Sequence, residues 1–146
     1  MNEELKSPEF RARLKESWSN LDDSVLDDVT RFRELVLLEN RVQNLTRITE
    51  PQDFVDNHAM DVEALIESKL LDFPAMDLGS GAGIPGLIAA LVDRTKPWIL
   101  AESEANKARF LRRAVNELNI RNVLVHSGRA EEFLKAVSYT HLRAHE

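Results

Sequence analysis

Ala75-Met-Asp-Leu-Gly-Ser-Gly-Ala-Gly-Ile-Pro-Gly86 decides how this chain is read. A short apolar run meets an acid, Asp77, and four of the chain's five glycines follow at positions 79, 81, 83 and 86. Glycine lets backbone approach a ligand closely and takes positive φ at no steric cost. The segment predicts a strand that runs into a tight, ligand-cradling turn and then a helix. Pro85 suits the first turn of that helix, where its missing N–H would have no partner anyway. Leu87 to Val92 then reads as a buried helix packed on a sheet. So many glycines would weaken a purely structural strand–helix junction.

Two ligand readings compete for this loop. Gly81-x-Gly83-x-x-Gly86 matches the dinucleotide fingerprint, with a pyrophosphate at the helix N-terminus. Counted from Asp77, Asp-x-Gly79-x-Gly81-x-Gly83 resembles motif I of the class I S-adenosylmethionine (SAM) methyltransferases. The acid favours the second reading. A carboxylate beside the loop repels a pyrophosphate and suits a ligand that carries a sulfonium and an ammonium.

Working outward, Trp98-Ile-Leu-Ala101 is a second apolar run, and it ends in Glu102. An acid there, about twenty residues past the glycines, is placed to accept hydrogen bonds from ribose hydroxyls. A third run, Asn122-Val-Leu-Val-His126, leads into Ser127-Gly-Arg-Ala-Glu131. Ligands in open α/β sheets bind outside the carboxyl ends of the strands, so Asp77, Glu102 and Glu131 are expected to converge on one crevice. Taken singly, each would pass for a solvated loop acid.

Strands at 75–78, 98–101 and 122–126 alternate with helices at 86–93 and 104–118, which means a parallel sheet with right-handed crossovers. In the second helix Phe110, Leu111, Ala114, Val115 and Leu118 form the buried stripe, with Ser103 as the expected N-cap. Residues 1 to about 70 read as helical, and no strand precedes Phe73. The cluster Asp22-Asp-Ser24 introduces a stripe at Val25, Val29, Phe32, Leu35 and Val36. Asn44-Leu-Thr46 breaks it. Thr49-Glu-Pro51 begins another helix, with Phe54, Val55, Ala59, Val62, Leu65 and Ile66 on its inner face.

The chain has 146 residues, 43% apolar and 30% charged, ordinary values for a globular domain. It has no cysteine, which excludes disulfides, thiolate metal sites and a cysteine nucleophile. The four histidines, His58, His126, His141 and His145, lack metal-ligand spacing. His58 and Asp61 share one helix face as a possible polar pair. The acidic start resembles no signal peptide, and the longest apolar run is far too short to span a bilayer. Net charge is −6, against the usual basic footprint of a nucleic-acid binder. Positive charge is nevertheless clustered. Lys107, Arg109, Arg112 and Arg113 share one helix, with Arg121 and Arg129 nearby, and Arg31, Arg33, Arg41 and Arg47 lie in the N-terminal half. Such runs are usually solvated faces, yet local patches can contact phosphates.

Read together, the motifs resemble the RsmG (GidB) family of bacterial small-subunit rRNA guanine-N7 methyltransferases. Asn40-x-x-x-Asn44-Leu-Thr46 resembles that family's Asn…Asn-Leu-Thr signature. Asn57-His58-Ala-Met-Asp61 resembles its His-x-x-Asp-Ser, with Val62 in place of the serine. The loop from Asp77 to Gly86, Glu102-Ser103, Lys107-Ala-x-Phe-Leu111 and Gly128-Arg-Ala-Glu131 complete the match over roughly 25–135. The resemblance implies a helical N-terminal part (1–70) before a Rossmann-like, SAM-binding α/β domain (71–136). It implies methylation of a guanosine in 16S rRNA, on the assembled or assembling small ribosomal subunit in the cytoplasm. Asp77, Gly79, Gly81, Gly83 and Ile84 would line the cofactor, Glu102 would hold its ribose, and Ala130 with Glu131 its adenine. Arg47, Lys107, Arg109 and Arg129 are the candidate RNA contacts, and no metal is implied. Phe10, Trp18 and Trp98 are the aromatics available to hold an unstacked base.

The family's Ser-Arg-Ala motif after a fourth strand has no match here, and 137–146 matches nothing in it. The expectation is an incomplete sheet of about three strands with an unrelated or artefactual tail, poorly stable and inactive by itself, with the third strand left as an open edge. A genuine short family member is the alternative. Two other functions stay open: a SAM-dependent methyltransferase acting on a small molecule, and a non-catalytic SAM- or RNA-binding fragment.

Overall fold

The computed structural model describes residues 2–135. The tail expected at 137–146 lies outside them. Five helices and a π-turn come first: α1 (Asn2–Leu5), α2 (Ser7–Ser17), α3 (Asp23–Glu39), α4 (Pro51–Phe54), the π-turn Val55–Ala59, and then α5 (Met60–Glu67). The α/β part follows as β1 (Ala75–Leu78), α6 (Gly86–Val92), β2 (Trp98–Glu102), α7 (Ala105–Glu117) and β3 (Val123–Ser127), with a further helical turn over 130–135. This is a Rossmann-like βαβαβ arrangement of three strands with helices in front of it, as expected. No helix of the described residues is long and apolar enough to cross a membrane.

The three strands are parallel in the order β1-β2-β3. Ala75 pairs with Trp98 and Trp98 with Val123, so the carboxyl ends Leu78, Ala101 and His126 stand level. Crossovers of one hand put α6 and α7 on the same face, where α3 packs across both. Leu87 to Leu91 are buried there, as are Leu100, Phe110, Leu111 and Ala114. Arg94 fastens the layers together. It donates to the carbonyls of Leu118 and Asn119 at the end of α7 and pairs with Asp28 of α3 at 3.1 Å.

Met76, Ile99 and Leu124 stand side by side on the opposite face, since side chains alternate along a strand. Leu124 is 54% exposed and Leu78 62%. Parallel sheets are normally covered on both faces, and among the described residues this one is covered on one. β3 is an edge, as expected, and β1 is the other.

Three expectations about particular residues give way. Phe10, Trp18 and Trp98 are 0%, 6% and 4% exposed; they build the core and cannot hold a base. Arg33 belongs to no surface patch. It is 2% exposed and donates to the carbonyls of Leu5 at 2.6 Å and Thr49 at 2.7 Å. Its guanidinium lies 4.9 Å from the Phe10 ring centroid and 5.7 Å from that of Phe54, so this cation is a strut between α3 and its neighbours. Ser103 does not cap α7, whose N-cap is Glu104. The Glu104 N–H is taken instead by Glu102 Oε2 at 2.8 Å.

Candidate functional site

The candidate site forms where β1 and β2 end. Gly79, Gly81 and Gly83 have φ of 66°, 53° and 86°, a left-handed run that turns the chain from β1 into α6 and that side chains with a Cβ resist. The loop is tied down from below. Gly79 N–H donates to the Ala101 carbonyl at 2.8 Å, and Gly83 N–H to the Ser80 carbonyl at 2.8 Å. Ser80 is 3% exposed, and its hydroxyl donates to the Asp77 carbonyl at 3.0 Å.

Both acids foreseen here grip this loop. Asp77 Oδ2 accepts the Gly86 N–H at 3.0 Å. Glu102, 6% exposed, accepts the Gly81 N–H on Oε1 at 2.8 Å. Burial pushes the Asp77 carboxyl up to about 6, and the nearby charge of Glu102 adds to the rise; the Gly86 N–H opposes it. Gly86 also explains its own identity. A Cβ there would collide with Leu100 Cδ2 and come within 2.8 Å of Asp77 Oδ2. At Gly79, by contrast, a Cβ would meet nothing within 4 Å, and at Gly81 only the Gly79 carbonyl at 3.8 Å. The top of the loop faces open space.

That space is a cleft of about 680 Å³, within the range of roughly 300–1,000 Å³ usual for ligand sites. Gly79 to Ala82, Ile84 and Pro85 make one wall. The other comes from the helical N-terminal part, through Leu45, Thr46, Ile48, Asn57, His58, Asp61 and Leu65. A side-chain network shapes this second wall. Asn40 Oδ1 accepts the N–H groups of Leu45 and Thr46 at 2.8 and 3.1 Å, and its Nδ2 donates to the Thr46 carbonyl at 2.9 Å. Thr46 Oγ1 accepts the Ile48 N–H at 3.1 Å and lies 3.3 Å from His58 Nε2. His58 packs edge-on to Phe54, centroids 4.8 Å apart. Burial holds its imidazole below the ordinary value, opposed by the charge of Asp61.

The π-turn Val55–Ala59 carries Asn57 and His58, and π-turns recur at functional sites. Thr46 and Asn57 entered the sequence reading only as parts of motifs, and their signal was the motif spacing itself; Asp61 was read as a polar partner of His58, yet among the described residues the two share no hydrogen bond and His58 Nε2 faces Thr46 Oγ1 instead. Ala130 and Glu131 do not line the cleft. Asp77, Gly83 and Glu102 do not line it either: the two acids lie beneath the loop and bind its N–H groups, and Glu131 is exposed, although the end of β3 is joined to that of β2 by the Gly128 N–H donating to the Glu102 carbonyl at 2.9 Å. Arg47, Arg109 and Arg129 are exposed and form no ion pair among the described residues, whereas Lys107 is 3.4 Å from Glu104. Among the described residues no cluster of His, Asp and Glu is suited to hold a metal ion.

The family model described as rRNA small subunit methyltransferase G (GidB) matches residues 26–144. A protein of Xylella fastidiosa (strain M23) named "Ribosomal RNA small subunit methyltransferase G" is 36% identical over 146 residues, which span 99% of this chain and 68% of the relative. Proteins of the same name from Dichelobacter nodosus (strain VCS1703A) and Halorhodospira halophila (strain DSM 244 / SL1) are 39% and 35% identical. Those matches span 77% and 84% of this chain, and 54% and 58% of the relatives. With a family model matching residues 26–144 and a relative 36% identical over 99% of the chain, the chain belongs to the GidB family of rRNA small subunit methyltransferases.

Proposed function

We propose that the glycine loop binds SAM and that its methyl group goes to N7 of a guanine in 16S rRNA of the small ribosomal subunit or its precursor, in the cytoplasm. The observation that carries this reading is the treatment of the loop's N–H groups. In a dinucleotide site the helix N-terminus presents free N–H groups to a pyrophosphate. Here the Gly86 N–H is taken by Asp77 and the Gly81 N–H by Glu102, so neither donor is left for an anion, and two carboxylates lie beneath the loop. The same acids suit a cationic ligand with ribose hydroxyls, and the open space over Gly79 and Gly81 leaves room for it.

SAM supplies, when bound, a methyl group on a sulfonium, an electrophile that needs no further activation. Guanine N7 carries an exposed lone pair, so no proton has to leave before attack and no general base is needed. What remains for this chain is positioning and exclusion of water. Asp77 faces the cofactor's ammonium, and Glu102 accepts its ribose hydroxyls with the lone pairs that Gly81 and Glu104 leave unused. Gly79, Gly81, Gly83 and Ile84 shape the floor, and the adenine would extend beyond the cleft toward the end of β3 to meet Ala130 and Glu131. The helical part (1–70) closes the cleft from the target side, and the α/β part (71–136) carries the cofactor. Arg47, Lys107, Arg109 and Arg129 contact RNA phosphates.

The test is incubation of the chain, its residues 137–146 replaced by a complete family C-terminal half, with radiolabelled SAM and small subunits that lack the modification, followed by nucleoside analysis; the 146-residue chain by itself is expected to transfer no methyl group. Label in 7-methylguanosine of 16S rRNA is the expected result. Label in another nucleoside, or in a free metabolite, overturns the reading.

A further inference from the structure

We propose that Asp61 selects guanine as the target base by accepting hydrogen bonds from its N1–H and exocyclic N2–H groups. This rests on the reading of the cleft as the site of guanine-N7 methylation and adds the residue that would choose the base. The cleft has two walls, and the methyl donor belongs to the one made by the glycine loop. A guanine that offers N7 to that wall turns its Hoogsteen edge to the loop and its Watson–Crick edge to the other wall, made by Thr46, Asn57, His58 and Asp61. The Watson–Crick edge of guanine presents two adjacent donors, N1–H and N2–H, and their natural complement is a carboxylate, whose two oxygens accept side by side.

Asp61 is the one carboxylate among the residues lining this cleft. It is exposed, and among the described residues neither a hydrogen bond nor an ion pair occupies it, so its acceptor sites are free. The other polar side chains of that wall each hold a partner through at least one group. Asn57 Nδ2 donates to the Asp53 carbonyl at 2.9 Å, and Thr46 and His58 hold one another. Thr46 Oγ1 accepts the Ile48 N–H and also faces His58 Nε2 at 3.3 Å. His58 is an oriented side chain one turn from Asp61. Adenine at the same place would direct the N1 lone pair at the carboxylate, a repulsive contact that provides discrimination as well as loss of binding.

The experiment titrates GMP, IMP and AMP separately into the 146-residue chain and into Asp61→Asn, with and without S-adenosylhomocysteine, following amide and side-chain signals by NMR. SAM affinity of both proteins is measured by calorimetry. Wild type should bind GMP most tightly, IMP, which lacks the N2 amine, less tightly, and AMP least. A bidentate base contact is worth about 1–3 kcal/mol, so the GMP-over-AMP preference should be roughly 5- to 150-fold. Asp61→Asn should remove that preference and leave SAM affinity within about twofold, a change too small to signal lost fold or lost cofactor contact. An unchanged GMP preference in Asp61→Asn overturns the inference, as does wild-type indifference to the base. A matching loss of SAM affinity would move Asp61 to the cofactor and overturn it too. SAM binding that fails in both proteins strikes instead at the proposed function, and the nucleotide titrations without S-adenosylhomocysteine then still decide the role of Asp61.

Discussion

Glu102 holds the loop that it was expected only to accompany: its buried Oε1 accepts the Gly81 N–H at 2.8 Å, and its Oε2 the Glu104 N–H at the same distance. One side chain thereby sets the height of the glycine turn and the start of α7. Replacement by alanine leaves two backbone donors without their partner, each costing about 1–3 kcal/mol where buried. Glu102→Ala should therefore lose roughly 2–4 kcal/mol of unfolding free energy in urea. It should also weaken SAM more than it weakens free methionine, which has no ribose. Unchanged stability would remove Glu102 from the loop's support, and equal losses for the two ligands would remove its ribose role.

Asp77 should show a trade between stability and binding. Its folded value, raised by burial to about 6, lies above the unfolded value of 3.8. The folded state therefore binds the proton more tightly than the unfolded state does. This contribution to stability is complete below pH 3.8 and is lost as the pH rises through about 6. Asp77→Asn keeps an acceptor for the Gly86 N–H and carries no charge, so it should be more stable than wild type at pH 8 by about 1–2 kcal/mol. Binding should move the other way. A cationic ligand favours the ionised carboxylate, so wild-type SAM affinity should rise about tenfold between pH 5 and pH 7 relative to the variant. Parallel pH profiles for the two proteins would contradict this role.

Much of the architecture was open to reading because it is written locally. The runs at Ala75, Trp98 and Val123 are apolar, short and followed by glycine or acid, and the alternation with helices leaves a parallel sheet as the consistent answer. The parts that escaped depend on distance in the fold. Ser103 has the chemistry of an N-cap, but the helix begins one residue later, with Glu104 as N-cap, and Glu102 holds the Glu104 N–H. Arg33 was read by its charge, although it stands four residues after Val29 and three before Val36, on the inward stripe. The π-turn at Val55–Ala59 inserts one residue into a pattern that an ordinary helix also satisfies. The cleft wall was legible as motifs, but nothing local says that Thr46 and His58, twelve residues apart, meet and face the glycine loop.

His58 should titrate with a midpoint below the ordinary 6.5, because burial disfavours the imidazolium more than Asp61 supports it. With the folded value depressed, stability from the neutral ring is present above pH 6.5 and is lost as the pH falls toward the folded midpoint. The ring's carbon-bound proton signals, followed against pH by NMR, give the midpoint. Thr46→Val removes the hydrogen bond to Nε2 and should shift it. A midpoint above 6.5 would contradict a buried, neutral His58.

The arginines should divide into two kinds. Arg33→Leu removes a strut and leaves the Leu5 and Thr49 carbonyls without their donor, so it should cost about 2–4 kcal/mol in stability. Arg109→Ala should leave stability within about 0.5 kcal/mol. It should lower the salt dependence of rRNA binding by about one phosphate contact, seen as a slope change near 0.9 in log K against log[salt]. An equal effect of both substitutions on that slope would contradict the assignment of Arg33 to the core.

The central claim, that the glycine loop is the cofactor's floor, is tested most directly by calorimetric titration of SAM into wild type and Gly81→Val. The valine Cβ would project into the open cleft from backbone at φ 53°, obstructing the ligand where it meets little of the protein itself. Wild type should bind one SAM per chain with measurable heat, and Gly81→Val, still folded by circular dichroism, should show no binding. Equal affinity in the two proteins would contradict the account.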